Sequence, residues 1–387
     1  MQPGLRFLGR RDKPPLLSHA APPRPGSGPP STVVRVLVVD DSAYNRRTVA
    51  DVFADAPDVE VVGKAADGEE ALLLATLLKP DVITLDLEMP RMDGFTFLRI
   101  LMAKQPTPVI VVSSYSQKEN VFKALELGAL DFVAKPDQRL APGAGDIKDE
   151  ILSKVRLVRA IRPTLLTSPR RPGTPSVNPD GRLEAAPPPP AILLPPRYVV
   201  AIASSTGGPS ALLEVFAKIP ATTPAGFLVA QHMPDKFTRT FAERIDRRGA
   251  VRVSEGQDGD VLGVRTGFVC PGRQCMELTV KGPELRLRVG PARATDRYVP
   301  SADRLLTSVA KTAPLTGAKA VGVVLTGMGD DGLAGARAIK AAGGMVIAES
   351  AETAVVYGMP GAVVREGLAD KVLPLGQVAE FLASFLP

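Results

Sequence analysis

Apolar runs alternate with helical patterns along most of this chain, and that alternation restricts the fold more than any other feature of the sequence. Runs at 34–39, 82–85 and 108–112 are separated by stretches with the apolar spacing of helices. Apolar strands joined in this way by helices form parallel sheets that are covered by helices on both faces. The alternation resumes near Arg197, after a proline-rich stretch, which predicts a second α/β domain with a doubly wound parallel sheet.

The predicted domain boundaries follow changes in composition. Residues 1–32 are rich in proline and lack apolar periodicity, so we expect a disordered leader. We expect a first domain at 33–155, a proline-rich linker at 156–196 and a second domain at 197–387. With 387 residues in total, each domain is long enough to bury a core of its own.

The formal net charge of +6 comes from the leader and the linker region. Residues 1–33 carry +4 and residues 151–197 carry +6, so the rest of the chain carries −4. This distribution, with few aromatic residues beside the basic ones, argues against a nucleic-acid-binding domain.

The cysteines do not indicate a metal site. Cys270 and Cys275 lack the neighbouring histidines that such a site would require. With neither a membrane-length apolar run nor a signal-peptide core, we expect a cytoplasmic protein without membrane insertion.

Three predicted strands of the second domain end in polar turns. The first turn contains Ser204 and Ser205, the second contains His232, and the third contains Asp330 and Asp331. The carboxyl ends of strands in a doubly wound sheet are where ligands bind, so residues distant in sequence meet there. His232 is the one histidine of the second domain, so a histidine-activated Ser205 requires it as the base, with a carboxylate from the third turn to orient the ring.

The sequences of these turns, Ser-Ser-Thr-Gly-Gly, Gln-His-Met-Pro and Thr-Gly-Met-Gly-Asp-Asp-Gly, resemble those of the chemotaxis protein-glutamate methylesterases, the CheB family. The resemblance spans about residues 197–385. It implies that Ser205 is the nucleophile, His232 the base and Asp331 the orienting acid, with Asp330 the residue most easily confused with Asp331. Backbone N–H groups near Thr206 and Met328 are the candidate donors to an oxyanion.

Carboxylates also follow two strands of the first domain. Asp40 and Asp41 come after the first strand and Asp86 after the third. Converging carboxylates repel one another unless one is protonated or a divalent cation binds, and such oxygen ligands suit Mg²⁺. Asp86 can then accept a phosphoryl group, with Lys135 and Ser113 placed to contact it. Taken singly, an aspartate here is more often a helix cap, and a lysine before proline is usually a solvated loop residue.

Taken together, these residues resemble the receiver domain of two-component response regulators over about residues 34–155. The resemblance implies a flavodoxin-like fold and phosphotransfer from a histidine kinase to Asp86. It also implies Mg²⁺ held by Asp41 and Asp86 with the backbone carbonyl of Glu88, beside Asp40. Phe132 matches the aromatic switch position of that family.

The two resemblances together imply a phosphorylation-activated hydrolase for sensory adaptation. It would demethylate glutamate γ-methyl esters on chemoreceptors, releasing methanol, and deamidate receptor glutamines. Mg²⁺ would serve the receiver, and the ester chemistry would need no cofactor. The main alternative is a response regulator whose second domain only binds receptor. Two other classes are disfavoured. The sequence after the linker has no helix-turn-helix signal, which a DNA-binding regulator would show, and no G-x-G-x-x-G pattern, which a dinucleotide-binding domain would show.

Overall fold

The structure is a computed structural model that describes residues 33–114, 118–135, 144–161 and 193–385. The expected leader, and residues 162–192 of the expected linker, lie outside the described residues. All of the described residues belong to one compact unit. Within these ranges, every helix is too short or too polar to pass through a lipid bilayer.

The first half of the described chain forms a parallel sheet with helices between successive strands. Its strands are β1 (Val34–Val39), β2 (Val59–Ala65), β3 (Val82–Leu85), β4 (Val109–Ser113) and β5 (Asp131–Ala134). Its helices are α1 (Ala43–Val52), α2 (Gly68–Leu78), α3 (Gly94–Lys104), α4 (Lys118–Glu126) and α5 (Ala144–Leu157). The strand order β2-β1-β3-β4-β5 is flavodoxin-like, as predicted. Since β1 and β3 are neighbours, Asp40 and Asp86 meet at one edge of the sheet.

Side-chain caps fix where the first three helices begin. Ser42 accepts a hydrogen bond from the Asn45 N–H at the start of α1. Asp67 accepts two backbone N–H groups at the start of α2, and Asp93 accepts one at the start of α3. The first N–H groups of a helix have no partner inside the helix, so each cap stabilises its helix by about 1 kcal/mol. The hydrogen bond from the Thr96 N–H also lowers the pKa of Asp93.

The second half contains a larger parallel sheet and a small antiparallel one. Its strands are β6 (Tyr198–Ser204), β7 (Ala225–Gln231), β8 (Arg252–Glu255), β9 (Val261–Leu262), β10 (Thr266–Val269), β11 (Gln274–Lys281), β12 (Glu284–Pro291), β13 (Lys319–Val324), β14 (Met345–Glu349) and β15 (Lys371–Leu373). Its helices are α6 (Gly208–Lys218), α7 (Phe237–Asp246), α8 (Ala302–Thr312), α9 (Leu333–Ala341), α10 (Met359–Arg365) and α11 (Leu375–Ala383). The large sheet has the order β15-β14-β13-β6-β7-β10-β8, and the small one β11-β12-β9. Strands β11 and β12 pair as an antiparallel hairpin.

Strands β13, β6 and β7 lie side by side in the middle of the larger sheet. Every residue of β7 is buried, as are all but the first of β6, which agrees with the continuous apolar runs of the sequence. Val324 pairs with Ala203, and Ser204 pairs with Gln231, so the three strands end level with one another. The turns that follow them are therefore neighbours, as the sequence predicted.

Aromatic side chains join the first half of the described chain to the second. Phe122 of α4 stacks on Phe241 of α7 with ring centroids 5.5 Å apart, and Phe132 of β5 lies 4.7 Å from Phe237. Beside them, Glu126 accepts hydrogen bonds from two arginines of the second half, Arg244 and Arg248. Buried rings flanked by these ion pairs hold the α4–β5 face of the first half against α7.

A smaller apolar cluster joins the same two halves at another point. Leu130, Leu157 and Ile161 from the first half pack with Val355 and Val356, which lie in the segment after β14. All of these side chains are buried. The segment after β14 therefore contacts the first half directly.

Candidate functional sites

Ser205 lies in the tight turn between β6 and α6. Its backbone N–H donates to the carbonyl oxygen of Thr326 at 3.0 Å, which fixes this turn against the one after β13. Gly207 has a φ of +78°, in the left-handed region that favours glycine. Gly208 is needed for close approach, because a Cβ there would collide with Gln231 and lie 2.8 Å from Ser204 Cβ. The two glycines of this turn therefore have different structural roles, a left-handed backbone at Gly207 and a close approach at Gly208.

Ser204, the neighbouring serine, points into the protein. It is fully buried, and its hydroxyl donates to Gln231 Oε1 at 2.7 Å. Gln231 in turn donates through Nε2 to the carbonyl oxygens of Ser205 and His232, at 3.0 and 2.9 Å. The side chains of Ser204 and Gln231 thus tie the first turn to the second, while Ser205 remains partly exposed. Gln231 belongs to the Gln-His-Met-Pro segment, but sequence reasoning assigned it no role.

His232 and Asp331 are in direct contact, as we expected from the sequence. His232 Nε2 lies 2.8 Å from Asp331 Oδ2, and the histidine is partly buried. This contact leaves Nδ1 as the ring nitrogen available to a serine. In the described structure no hydrogen bond joins Ser205 Oγ to the ring, and such bonds are often long before a substrate binds.

Asp331 is surrounded by hydrogen-bond donors. Besides His232, its carboxylate accepts the N–H groups of Ala302 and Asp303, both at 2.8 Å, and that of Gly332 at 3.1 Å. The first two belong to the N-terminal turn of α8, where the helix dipole favours negative charge. These donors fix the position of the Asp331 carboxylate and orient it toward the ring.

Asp303 in turn caps the helix that follows Asp331. Its Oδ1 accepts the N–H groups of Gly332 and Gly335 at the start of α9, at 2.9 and 2.8 Å. Burial, together with the charge of Asp331, raises the pKa of Asp303, while these N–H groups oppose the shift. Asp303 and Asp331 therefore cap each other's helices. Sequence reasoning missed this role of Asp303.

The turn after β13 passes close to Ser205. A Cβ at Gly327 would lie 2.8 Å from Ser205 Cβ, so only glycine allows this approach. Thr326 donates through Oγ1 to the carbonyl oxygen of Thr206 at 2.9 Å. Of the two candidate oxyanion positions, Thr206 is buried and Met328 is half exposed. Both belong to turns that meet at Ser205.

Asp330 has different partners from Asp331. It accepts a hydrogen bond from the Tyr298 hydroxyl at 3.2 Å and forms an ion pair with Arg297 at 3.4 Å. Its side chain is 45% exposed, whereas that of Asp331 is almost completely buried. The two adjacent aspartates therefore point to different surroundings, and Asp331 is the one in contact with His232.

The acidic residues expected in the first half also come together. One carboxylate oxygen from each of Asp40, Asp41 and Asp86 lies within 4.8 Å of the others. Asp40 and Asp86 are buried, and Asp41 is exposed. Lys135 Nζ lies 2.8 Å from Asp40 and 2.7 Å from Asp86. Three carboxylates grouped in this way match the oxygen ligands that Mg²⁺ prefers, so these residues fit that ion.

The charges in this cluster depend on one another. Burial raises the pKa of Asp86, although hydrogen bonding to Lys135 opposes the shift. Burial lowers the pKa of Lys135, but the hydrogen bonds to Asp40 and Asp86 and the charges of both carboxylates together outweigh it and raise the pKa. Ser113 is fully buried at the end of the neighbouring strand β4, and the Glu88 side chain is exposed. The expected receiver residues are thus gathered at one edge of the first sheet.

Comparison with known proteins matches both halves of the chain. Residues 36–141 match the response regulator receiver domain, and residues 200–382 match the family described as CheB methylesterase. Protein-glutamate methylesterase/protein-glutamine glutaminase 1 of Myxococcus xanthus is 47% identical over 91% of this chain and 97% of its own length. Protein-glutamate methylesterase/protein-glutamine glutaminase 3 of Geobacter sulfurreducens is 44% identical over 89% of this chain and 95% of its own length. The corresponding Pyrococcus abyssi protein is 41% identical, over 90% and 92%.

Proposed function

The chain belongs to the CheB methylesterase family, and we propose that it is a phosphorylation-activated protein-glutamate methylesterase and protein-glutamine glutaminase. Its substrates would be glutamate γ-methyl esters and glutamines of chemoreceptors. The observation that carries this proposal is the contact between His232 and Asp331 at the sheet edge where the turn of Ser205 lies. A serine hydroxyl attacks an ester or amide when a nearby base takes its proton, so these three side chains fit acyl transfer.

In the first half-reaction, Ser205 Oγ attacks the side-chain acyl carbon of the substrate. Its proton passes to Nδ1 of His232, and Asp331 stabilises the imidazolium from the opposite ring nitrogen. The carbonyl oxygen becomes an oxyanion, for which backbone N–H groups at Thr206 and Met328 are the proposed donors. When the intermediate collapses, His232 returns the proton to the leaving group. An ester then releases methanol and an amide releases ammonia.

In the second half-reaction, water attacks the acyl group on Ser205. His232 takes a proton from the water and then protonates the serine oxygen as the acyl–oxygen bond breaks. The products are a glutamate side chain and free Ser205, so ester and amide substrates give the same acyl intermediate and the same protein product. The alternative of a second domain that only binds receptor has no support, since the relatives carry the names of enzymes.

We further propose that Asp86 is the phosphorylated residue of the receiver, with a histidine kinase as the donor. Mg²⁺, held by Asp40, Asp41 and Asp86 with the backbone carbonyl of Glu88, would neutralise charge on the transferred phosphoryl group. Lys135 already contacts Asp86, so a phosphoryl group there would take over one of its hydrogen bonds.

Ser113, at the end of the adjacent strand, is the second proposed contact of the phosphoryl group.

We also propose the domain boundaries. The receiver domain comprises residues 33–155, the linker residues 156–196 and the catalytic domain residues 197–387. The protein would act in the cytoplasm, where Cys270 and Cys275, which form no disulfide, stay reduced.

The first test measures methanol released from methylated receptor membranes by the full chain. Wild type, Asp86→Asn and Ser205→Ala are compared with and without a small phosphodonor and Mg²⁺. We expect the phosphodonor to stimulate the wild type but not Asp86→Asn, because an amide cannot accept a phosphoryl group. Ser205→Ala should lose about 10⁶-fold in rate without unfolding.

Each variant tests one part of the proposal. Stimulation of Asp86→Asn equal to that of the wild type would contradict phosphorylation at Asp86. Release by Ser205→Ala at the wild-type rate would place the nucleophile elsewhere. No release from folded wild-type protein under either condition would contradict the methylesterase activity itself.

A further inference from the structure

The imidazole of His232 is contacted on its face as well as on its edge. The ring of Tyr298 is nearly parallel to it, with an angle of 9° between the planes and 5.2 Å between the centroids. This is an offset stack within the range in which aromatic rings attract one another. Asp331 holds the edge of the same imidazole through Nε2. The ring is therefore restrained in two directions by two side chains.

Tyr298 is itself held in place by the residue before Asp331. Its hydroxyl donates to Asp330 Oδ1 at 3.2 Å. Arg297 forms an ion pair with the same carboxylate, and its guanidinium carbon lies 5.4 Å from the centre of the Tyr298 ring. Gly329, with a φ of +82°, leaves the space for the tyrosine hydroxyl, because a Cβ at this position would collide with it.

We propose that Tyr298 is a positioning residue for His232 and that Asp330 anchors Tyr298. The two consecutive aspartates then act on one imidazole by separate routes, Asp331 by direct contact and Asp330 through the tyrosine ring. This inference rests on the proposed function in one respect, since it takes His232 to be the base that activates Ser205.

The stack has two physical effects on the reaction. It restricts rotation of the His232 ring, so that Nδ1 stays directed toward the serine once Nε2 is bound to Asp331. The face of the tyrosine ring also attracts the positive charge that His232 gains when it accepts the serine proton. His232 carries that extra proton only while the tetrahedral intermediate forms and breaks down. The stack should therefore increase kcat and leave KM unchanged.

The test compares full-length Tyr298→Leu, Tyr298→Phe and Asp330→Ala with the wild type, all activated with a phosphodonor and Mg²⁺. Two rates are measured: methanol release from receptor membranes, resolved into kcat and KM, and inactivation by a serine-directed phosphonate, which needs no receptor. The matched control is Tyr198→Leu. Tyr198 stacks on Phe385 with centroids 4.3 Å apart, so this variant also removes a stacked tyrosine, but away from His232.

Tyr298→Leu should lower both kcat and the inactivation rate by about 10-fold, equivalent to about 1.4 kcal/mol in the transition state. Tyr298→Phe keeps the stack and should stay within about 3-fold of wild type. Asp330→Ala should lower both rates by about 3-fold, since the ring is then less firmly held. Tyr198→Leu should leave both rates unchanged.

Two results would overturn the inference. One is an inactivation rate of folded Tyr298→Leu equal to that of the wild type, and the other is a rise in KM alone, which would make Tyr298 a substrate contact. If Tyr298→Leu does not fold, Asp330→Ala decides, because an unchanged inactivation rate there would show that the anchored stack has no effect on His232. If the wild type reacts with the phosphonate but releases no methanol, the proposed substrate is wrong while the role of Tyr298 is still measured.

Discussion

At the scale of single residues, the paired helix caps make a prediction about Asp303. Asp303→Ala leaves the Gly335 N–H without its acceptor and leaves the Gly332 N–H with Asp331 alone, so the free energy of unfolding should fall by about 1–3 kcal/mol. Asp303→Asn keeps an acceptor oxygen and should lose less. Denaturant unfolding of the three proteins at neutral pH measures the difference. Equal stability of Asp303→Ala and wild type would contradict this role as a cap.

The pH dependence of the same residue gives a second prediction. The pKa of Asp303 is raised in the folded protein, mainly by burial, from its ordinary value of 3.8. A raised pKa means that the folded state binds the proton more tightly, so the stability it gives is complete below 3.8 and is lost as the pH rises through the raised value. Relative to wild type, Asp303→Asn should therefore become more stable as the pH rises from about 4 to 7. A constant difference between the two unfolding free energies would contradict the shift.

The sequence allowed some of these residues to be predicted and not others. His232 could be paired with an aspartate of the third turn because the second half has one histidine and its polar turns follow apolar runs, and the family resemblance chose Asp331 over Asp330. His232 and Asp331 do lie 2.8 Å apart, while their catalytic roles stay predictions. Gln231, Tyr298 and Asp303 could not be found in this way. Their functions depend on contacts between separate segments, and nothing in their spacing distinguishes them from ordinary polar residues.

At the scale of elements, a matched pair of glycines separates close approach from helix propensity. Gly208 begins α6, where a Cβ would collide with Gln231. Gly376 is near the start of α11, where the nearest atom to a Cβ is the flexible Lys218 Nζ at 3.3 Å. Gly208→Ala should displace the Ser205 turn and lower kcat by at least about 10²-fold. Gly376→Ala should leave activity unchanged and raise stability by about 0.5 kcal/mol.

Methanol release and thermal unfolding of both glycine variants check this prediction, and full activity of Gly208→Ala would contradict it. The elements themselves were largely predictable, because long apolar runs separated by helical spacing give a parallel sheet almost without alternatives. In the second half, the helices α7 to α10 and the strand β15 were not predicted individually. Strand β15 has only three residues, two of them exposed, so it carries little apolar signal.

At the scale of the whole molecule, the contacts between the two halves predict how the receiver restrains the catalytic domain. Phe132, at the aromatic switch position of the receiver, packs on Phe237 at the start of α7, the helix that follows His232. The sequence could not predict this arrangement, because Phe122 and Phe132 have the spacing of ordinary core residues and their partners lie more than a hundred positions away. Glu126, beside these rings, is the residue through which the contact can be weakened without touching either active site.

Glu126→Arg replaces a carboxylate bound to Arg244 and Arg248 by a third positive charge, which should push α4 away from α7. We expect the packed arrangement to be the inactive one, so methanol release without phosphodonor should rise by about 5-fold. Further stimulation by the phosphodonor should shrink, because part of the shift from the packed to the active arrangement has already occurred. Asp55→Arg is the matched control, since it reverses an exposed acidic residue that pairs with Lys148 inside the receiver. Basal release from Glu126→Arg at the wild-type rate would show that contact with α7 does not hold the enzyme inactive. A rise in Asp55→Arg as well would mean that receiver charge in general, and not this contact, sets the basal rate.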